Sequence, residues 1–560
     1  MDMKPILSLL VMASLSVSSF AQDAVFQNFK YTGNESRFAK NIDTSKEYYN
    51  PVLAGFYPDP SLCRKGDTYY LVNSSFSFYP GVPLSTSKDL IHWKPAGYVL
   101  NRESQLPLTR QNISGGIFAP AISYNEKNKT FYMITTNVGA GNFFVKSKDP
   151  EKGWSDPIYL PKVNGIDPSF FFDKDGKGYI VHNGPVTGKQ EYEGQRAIRL
   201  FEFDVKGDSI KGDFTEIVRG GTHVQKNPIW IEGPHLFRVG KYYYLMCAEG
   251  GTCDWHSEVI FRAKSPKGPW EECPDNPILT QRTGLDPNRP DIVTSAGHAD
   301  IVQSKEGDWW AVFLGCRPYQ DDFYNTGRDT YLLPVTWKNG WPIIQPKNTA
   351  IPAVSKMTKW QEKLSAGMKN QGEFSGNFSY EDKFDGESLN QRWMFLRNPS
   401  AFWKTSAEGL VISPKHAKIN EKESPSVIFT RQQHTNFTAE TTVRFAPTSE
   451  KTQAGLVLMQ KEDHNFVFVK TLRAGKPVLV LERAERGNAV IASTELTGVH
   501  AAGNEPLRLK VVGNGRYYDF YYAEGNADYQ LLAKGVDAVN LSTHQSGGFI
   551  GAVIGLYAVK

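Results

Sequence analysis

The stretch Tyr57–Ser75, YPDPSLCRKGDTYYLVNSS, decides the fold because the same phrase returns four more times before residue 320. The later copies are APAISYNEKNKTFYMITTN from Ala119, DPSFFFDKDGKGYIVHNG from Asp167, EGPHLFRVGKYYYLMCAEG from Glu232 and GHADIVQSKEGDWWAVFLG from Gly297. Each runs from a Pro- or Gly-marked start through a few apolar residues, across a polar turn, into an aromatic-rich run. Two short apolar runs separated by turn residues read as a β-hairpin. The copies recur at intervals of roughly 45–65 residues, the spacing of a repeat architecture. Between them lies a weaker echo, STSKDLIHWKPAG, VKSKDPEKGWSDPI and RAKSPKGPWEECPDNPI, each placing a tryptophan (Trp93, Trp154, Trp270) after a Ser/Lys pair. An inner and an outer hairpin per repeat make a four-stranded sheet, and radial packing of such sheets makes a β-propeller. Five copies predict five blades over residues 46–354.

From residue 355 to 378 the text turns polar and Gly-dotted and reads as a linker. Residues 379–560 then supply strands such as SVIFTR, AGLVLMQ, NFVFVKTL and GGFIGAVIGLYAV without helical periods, predicting a concanavalin-A-like β-sandwich, or jelly roll. The expected class is therefore all-β, a five-bladed β-propeller followed by that sandwich. At the other end, Lys4, the apolar run Ile6–Val17 and Ser19-Phe20-Ala21 read as a signal peptide over residues 1–21. No cysteine follows the cleavage site, so the expected location is secreted or periplasmic. Gln22 onward looks polar and irregular.

Composition narrows the function classes. A net charge of +4 over 560 residues, with no basic block, argues against nucleic acid as a partner. No later segment is apolar for long enough to span a membrane. Five scattered cysteines form no disulfide framework and no zinc-ligand spacing.

In a propeller the first strand of every blade lines the central channel, so equivalent residues ring the axis. Asp59, Asp167 and Glu232 stand at matching places in their copies, with His298 contributed by the fifth and Phe118-Ala119 by the second. Three carboxylates brought together cannot all keep their solution pKa values, and one held protonated is a general acid. Singly, each Asp-Pro is ordinary turn chemistry, Glu232 a solvated loop carboxylate and His298 a structural histidine. The coincidence at repeat positions favours the site.

The phrases NPVLAGFYPDPS, GGIFAP, GIDPSF, IEGPHLF, GHADIV and TGRDTYLLP resemble glycoside hydrolases of family 43, in particular the exo-acting β-xylosidase and α-L-arabinofuranosidase branch that carries a C-terminal jelly roll. The resemblance implies inverting hydrolysis of terminal β-D-xylosyl or α-L-arabinofuranosyl residues of hemicellulose oligosaccharides or side chains, such as those of xylan. It implies Asp59 as general base, Glu232 as general acid and Asp167 as the carboxylate that tunes Glu232. Arg328 would contact sugar and base, and His298 would support the site. Phe76 matches a pocket aromatic, and Phe118 stands where many relatives have Trp. Phe549 falls on a segment that can reach the pocket mouth or serve as core. No cofactor is required, with a bound Ca2+ near His298 or in the sandwich compatible with the family. The alternatives are an endo-arabinanase with an open groove and a non-catalytic carbohydrate-binding propeller; oligomeric state stays open.

Overall fold

The computed structural model describes residues 23–366, 374–485, 487–497 and 505–560. The segment read as a signal peptide lies outside the described residues. Five antiparallel sheets follow one another along the chain, with innermost strands Ser61–Lys65, Ile117–Asn125, Ile166–Phe172, Glu232–Val239 and Thr294–Gln303. Each innermost strand is followed by its hairpin partner, as the repeated phrase requires, and the outer strands end the sheet. We call these sheets blades one to five.

Apolar packing between neighbouring blades closes the ring. Val72 and Leu84 of blade one meet Phe131 and Met133 of blade two, and Ile134 and Phe144 of blade two meet Ile180 and Phe201 of blade three. Val181 and Leu200 meet Leu245 and Val259 of blade four, Met246 and Ile260 meet Phe313 and Tyr331 of blade five, and Val312 and Trp310 return to Leu62 and Leu71 of blade one. A blade buries both faces against its neighbours, which is why these strands read as continuous apolar runs rather than clean alternation. The last joint is also hydrogen-bonded: Glu47–Tyr49 pairs with Val354–Lys356, and the Asn50 side chain donates to the Leu332 carbonyl at 2.9 Å and accepts its N–H at 3.0 Å.

The second unit is two packed sheets around a core that includes Leu456, Phe468, Leu509 and Phe520. Its membership departs from the sequence boundaries in three ways. Ala24–Gly33, which looks irregular in the sequence, is a strand of the sandwich, paired with Asn436–Arg444. A register break between Phe26 and Asn28 hides its alternation, yet Phe26, Phe29 and Tyr31 all face the core. Phe78–Tyr79 of the propeller also adds to the other sandwich sheet, against Met394–Leu396. Within the stretch read as a linker, Lys359–Ser365 forms a helix. It docks on the propeller: Gln361 Nε2 donates to the Asp89 carbonyl at 3.0 Å and Trp360 Nε1 to Asp308 at 3.0 Å. Among the described residues no helix is long and apolar enough to cross a membrane.

Arg317 clasps the two units together. Fully buried, it donates from Nε and Nη2 to Asp329 at 2.9 Å each, from Nη1 to Glu35 at 2.5 Å, and to the Gln433 carbonyl of the sandwich at 2.9 Å. Because Asp329 follows Arg328 directly, the clasp fixes the backbone that carries a site residue. Removing one partner of such a buried pair leaves an uncompensated charge, at a cost of about 3–5 kcal/mol.

Candidate active site

The innermost strands share a local break in pairing. Phe118 pairs with Thr136 but the next paired residue is Ala121 with Ile134. The same skip separates Ile166 from Ser169, Glu232 from His235 and Gly297 from Asp300. Asp167, Gly233 and His298 stand inside the skip with left-handed backbone, φ 55°, 53° and 50°, and Asp59, just ahead of the inner strand of blade one, shares that conformation at φ 51°. The residue matched to Asp59 and Asp167 in blade four is thus Gly233, and Glu232 stands one position earlier, in register with Phe118 and Ile166. This corrects the equal placement of the three acids expected from the repeats. The following proline (Pro60, Pro168, Pro234) marks the true equivalence better than the acid does. Gly233 is required where it stands, since a Cβ there would lie 2.8 Å from His298 Nε2.

Asp59 is held as a carboxylate. Arg328 Nη1 donates to its Oδ1 at 2.6 Å and Ser74 Oγ to its Oδ2 at 2.6 Å, while His298 Nδ1 lies 3.7 Å from Oδ1. Burial pushes its pKa up, but Arg328, then His298 and the Ser74 hydroxyl outweigh it, and the group sits below its ordinary value. His298 itself is driven down to about 4, by burial first, so it is a neutral ring near pH 7.

Glu232 and Asp167 sit in the opposite field. Burial and then the Asp167 charge, with Asp59 behind it, push Glu232 well above its ordinary value. Asp167 is raised to about 7 by burial and by Asp59, against the Gly233 N–H, which donates to Oδ2 at 3.1 Å, and the charges of Arg328 and Arg196. Glu232 lines the cavity, and among the described residues its buried Oε1 has no hydrogen-bond partner. The pair therefore keeps a proton at pH values where Asp59 has none, which is the division a general acid and a general base need.

All eight residues singled out in the sequence line one cavity of about 500 Å3. Phe76, Phe118 and Phe549 form its aromatic wall, with centroids 5.6 Å (Phe76–Phe118), 5.4 Å (Phe118–Phe549) and 6.1 Å (Phe76–Phe549) apart. Phe549 reaches this wall from the sandwich, so it is a pocket residue as well as a packing one. Arg328 Nη2 donates to its carbonyl at 3.2 Å, and Ser114 Oγ accepts its N–H at 3.0 Å. The approach depends on two glycines: a Cβ on Gly327 would come within 2.7 Å of Gly551. Sequence reading missed Ser74, Arg196, Trp230 and Thr252. Ser74 is the next-to-last residue of the first repeated phrase, just past the strand Thr68–Val72; the other three lie outside the repeated phrases, where no pattern marks them.

Among the described residues no three His, Cys, Asp or Glu side chains are grouped so as to hold a metal ion. His298 has Asp59 on its Nδ1 side and Gly233 against Nε2.

Known proteins agree with this arrangement. Residues 48–342 match the model of glycosyl hydrolases family 43, and residues 381–560 that of the beta xylosidase C-terminal concanavalin A-like domain. The chain is 37% identical to a xylosidase/arabinosidase of Butyrivibrio fibrisolvens, over 91% of this chain and 95% of that protein. It is 35% identical to a non-reducing end α-L-arabinofuranosidase of Bacteroides ovatus, over 92% and 91%. The crystal structure of a GH43_12 protein retrieved from a capybara gut metagenome superposes with a TM-score of 0.88 at 43% identity, covering 96% of this chain and 99% of that one. With its five-bladed propeller, its sandwich and a cavity lined by three buried carboxyl residues, the chain belongs to glycoside hydrolase family 43 and is a glycoside hydrolase.

Proposed function

We propose that the protein is an exo-acting glycosidase that removes terminal β-D-xylosyl or α-L-arabinofuranosyl residues from hemicellulose oligosaccharides or side chains, with inversion at the anomeric carbon. The observation that carries this reading is the pair of opposite protonation states in one small cavity, Asp59 ionised and Glu232 protonated. In the proposed step Asp59 removes a proton from water as its oxygen attacks the anomeric carbon. The glycosidic bond breaks, its electron pair stays with the leaving oxygen, and Glu232 donates a proton to that oxygen. Asp167 holds the proton on Glu232 until it is needed, and Arg328 orients Asp59. Side chains and water complete the step.

The sugar assignment draws on the names of the relatives, xylosidase/arabinosidase and non-reducing end α-L-arabinofuranosidase. Exo action draws on Phe549, which brings the sandwich onto one side of the cavity where an endo-acting enzyme needs a through-going groove. Export follows, as part of the proposal, from the N-terminal signal segment. The test is parallel assay of p-nitrophenyl β-D-xyloside and α-L-arabinofuranoside, with NMR of the anomer first released. The inverted anomer is expected, and a retained one would sink the mechanism. Glu232→Ala should lose most turnover on unactivated glycosides and much less on p-nitrophenyl ones. Equal loss on both would remove Glu232 as the acid.

A further inference from the structure

The cavity wall divides by contact. Asp59, Arg328 and the phenylalanines belong together, the Arg328 guanidinium lying 5.9 Å from the ring centroids of both Phe76 and Phe549. Arg196 and Trp230 line the same cavity: the Arg196 charge acts on Glu232, as that of Arg328 also does, and Trp230 stands two residues before Glu232 in the chain. A general acid delivers its proton to the oxygen of the bond being cleaved, so the departing group lies on the acid's side of the cavity. Whatever recognises that group must stand near Glu232.

Trp230, two residues before Glu232, has three features that suit the task. It is 40% exposed although large and apolar. Its backbone is left-handed at φ 52°, a genuine outlier for a bulky residue and the kind of local strain that collects at functional sites. Its ring is covered by Arg196, whose guanidinium lies 5.3 Å from the centroid, and its backbone N–H donates to the Gly194 carbonyl at 2.8 Å. Arg196 is anchored in turn, donating from Nε and Nη2 to Asn183 Oδ1 at 3.1 and 2.7 Å, while Asn183 Nδ2 donates to the Ile231 carbonyl at 2.6 Å. The indole is therefore tied to the same backbone that carries the acid. A half-exposed aromatic face held at fixed distance from a proton donor suits the C–H face of a neutral sugar ring.

Resting on the glycosidase reading above, we propose that Trp230 is the platform on which the leaving-group sugar stacks, and that Arg196 is a positioning residue that holds the indole in place. Trp255 offers a matched control. It is 61% exposed and has its own arginine, Arg282, 5.8 Å from the ring, but it does not line the cavity.

The experiment compares kcat/KM on xylobiose and α-1,5-arabinobiose with that on β-D-xylopyranosyl and α-L-arabinofuranosyl fluoride, whose leaving group is one atom and cannot reach Trp230. Trp230→Ala should lose at least about ten-fold more on the disaccharide than on the fluoride, mainly through KM, with Trp230→Phe recovering most of it. Arg196→Met should show the same preference and also move the alkaline limb of the pH profile upward, because its charge no longer opposes the proton on Glu232. Trp255→Ala should show no preference. Equal losses on both substrates for Trp230→Ala, or the same preference in Trp255→Ala, would overturn the proposal. A wild-type protein that turned over neither substrate would instead overturn the glycosidase reading, and this with it.

Discussion

Asp59 and Glu232 are buried almost equally, 5% and 7% exposed, in the same cavity, yet they are held in opposite protonation states. Burial raises both, so the difference lies in what else surrounds them. The Asp59 side supplies a cation at 2.6 Å and a hydroxyl at 2.6 Å. The Glu232 side supplies a second carboxyl and leaves one oxygen without a partner. Equal desolvation with opposite neighbours separates two carboxyls into a base and an acid.

The harshest way to break this comparison is to remove the base. Asp59→Asn should lower kcat/KM by about 10²–10⁴-fold, the usual worth of a positioned proton-transfer group, and steady-state kinetics will show it. A loss under about ten-fold would deny Asp59 that role. Next comes Arg328→Met, which makes the Asp59 side resemble the other. Burial then acts on Asp59 with less opposition, its pKa rises, and the acid limb of the kcat/KM profile should move upward. A loss of about 10–10² at neutral pH should accompany it. An unmoved acid limb would show that Arg328 does not hold Asp59 ionised.

Asp167→Asn acts on the other side. It removes the larger of the two charges that keep the proton on Glu232, so that pKa falls and the alkaline limb should move down. The smallest effect is on stability. Glu232 has a folded-state pKa above its unfolded value, so the wild-type fold loses stability as pH rises from the unfolded value, about 4.3, toward the folded one. Glu232→Gln has no such loss, so its Tm should exceed wild type by about 1–3 °C near pH 8 and by less near pH 5. A gap that shrinks with rising pH would contradict the buried, protonated Glu232.

Much of this architecture is legible along the chain itself. The repeated hairpins announce the blades because each blade satisfies its own hydrogen bonds locally, and a proline follows the key position in four of the five inner strands, at Pro60, Pro120, Pro168 and Pro234. The offset of Glu232 is not legible, because the skip in pairing is set by how each inner strand meets its partner, and the sequence shows only that an acid is close by. Ala24–Gly33 escapes for a similar reason: its partners on either side, Gly409–Ile412 and Asn436–Arg444, are almost four hundred residues away. Trp230 and Arg196 lie in or next to irregular segments, where no period selects them.

The sequence alone determined the all-β class, the five repeats and the three acids, because local alternation, turn chemistry and repetition are written along the chain. Tertiary structure alone decided which carboxyl sits in surroundings that favour its proton, and that Phe549 from the far end of the chain completes the wall. Those outcomes depend on burial and on charges brought together across hundreds of residues, such as Arg328 against Asp59, and such contacts exist only once the ring has closed.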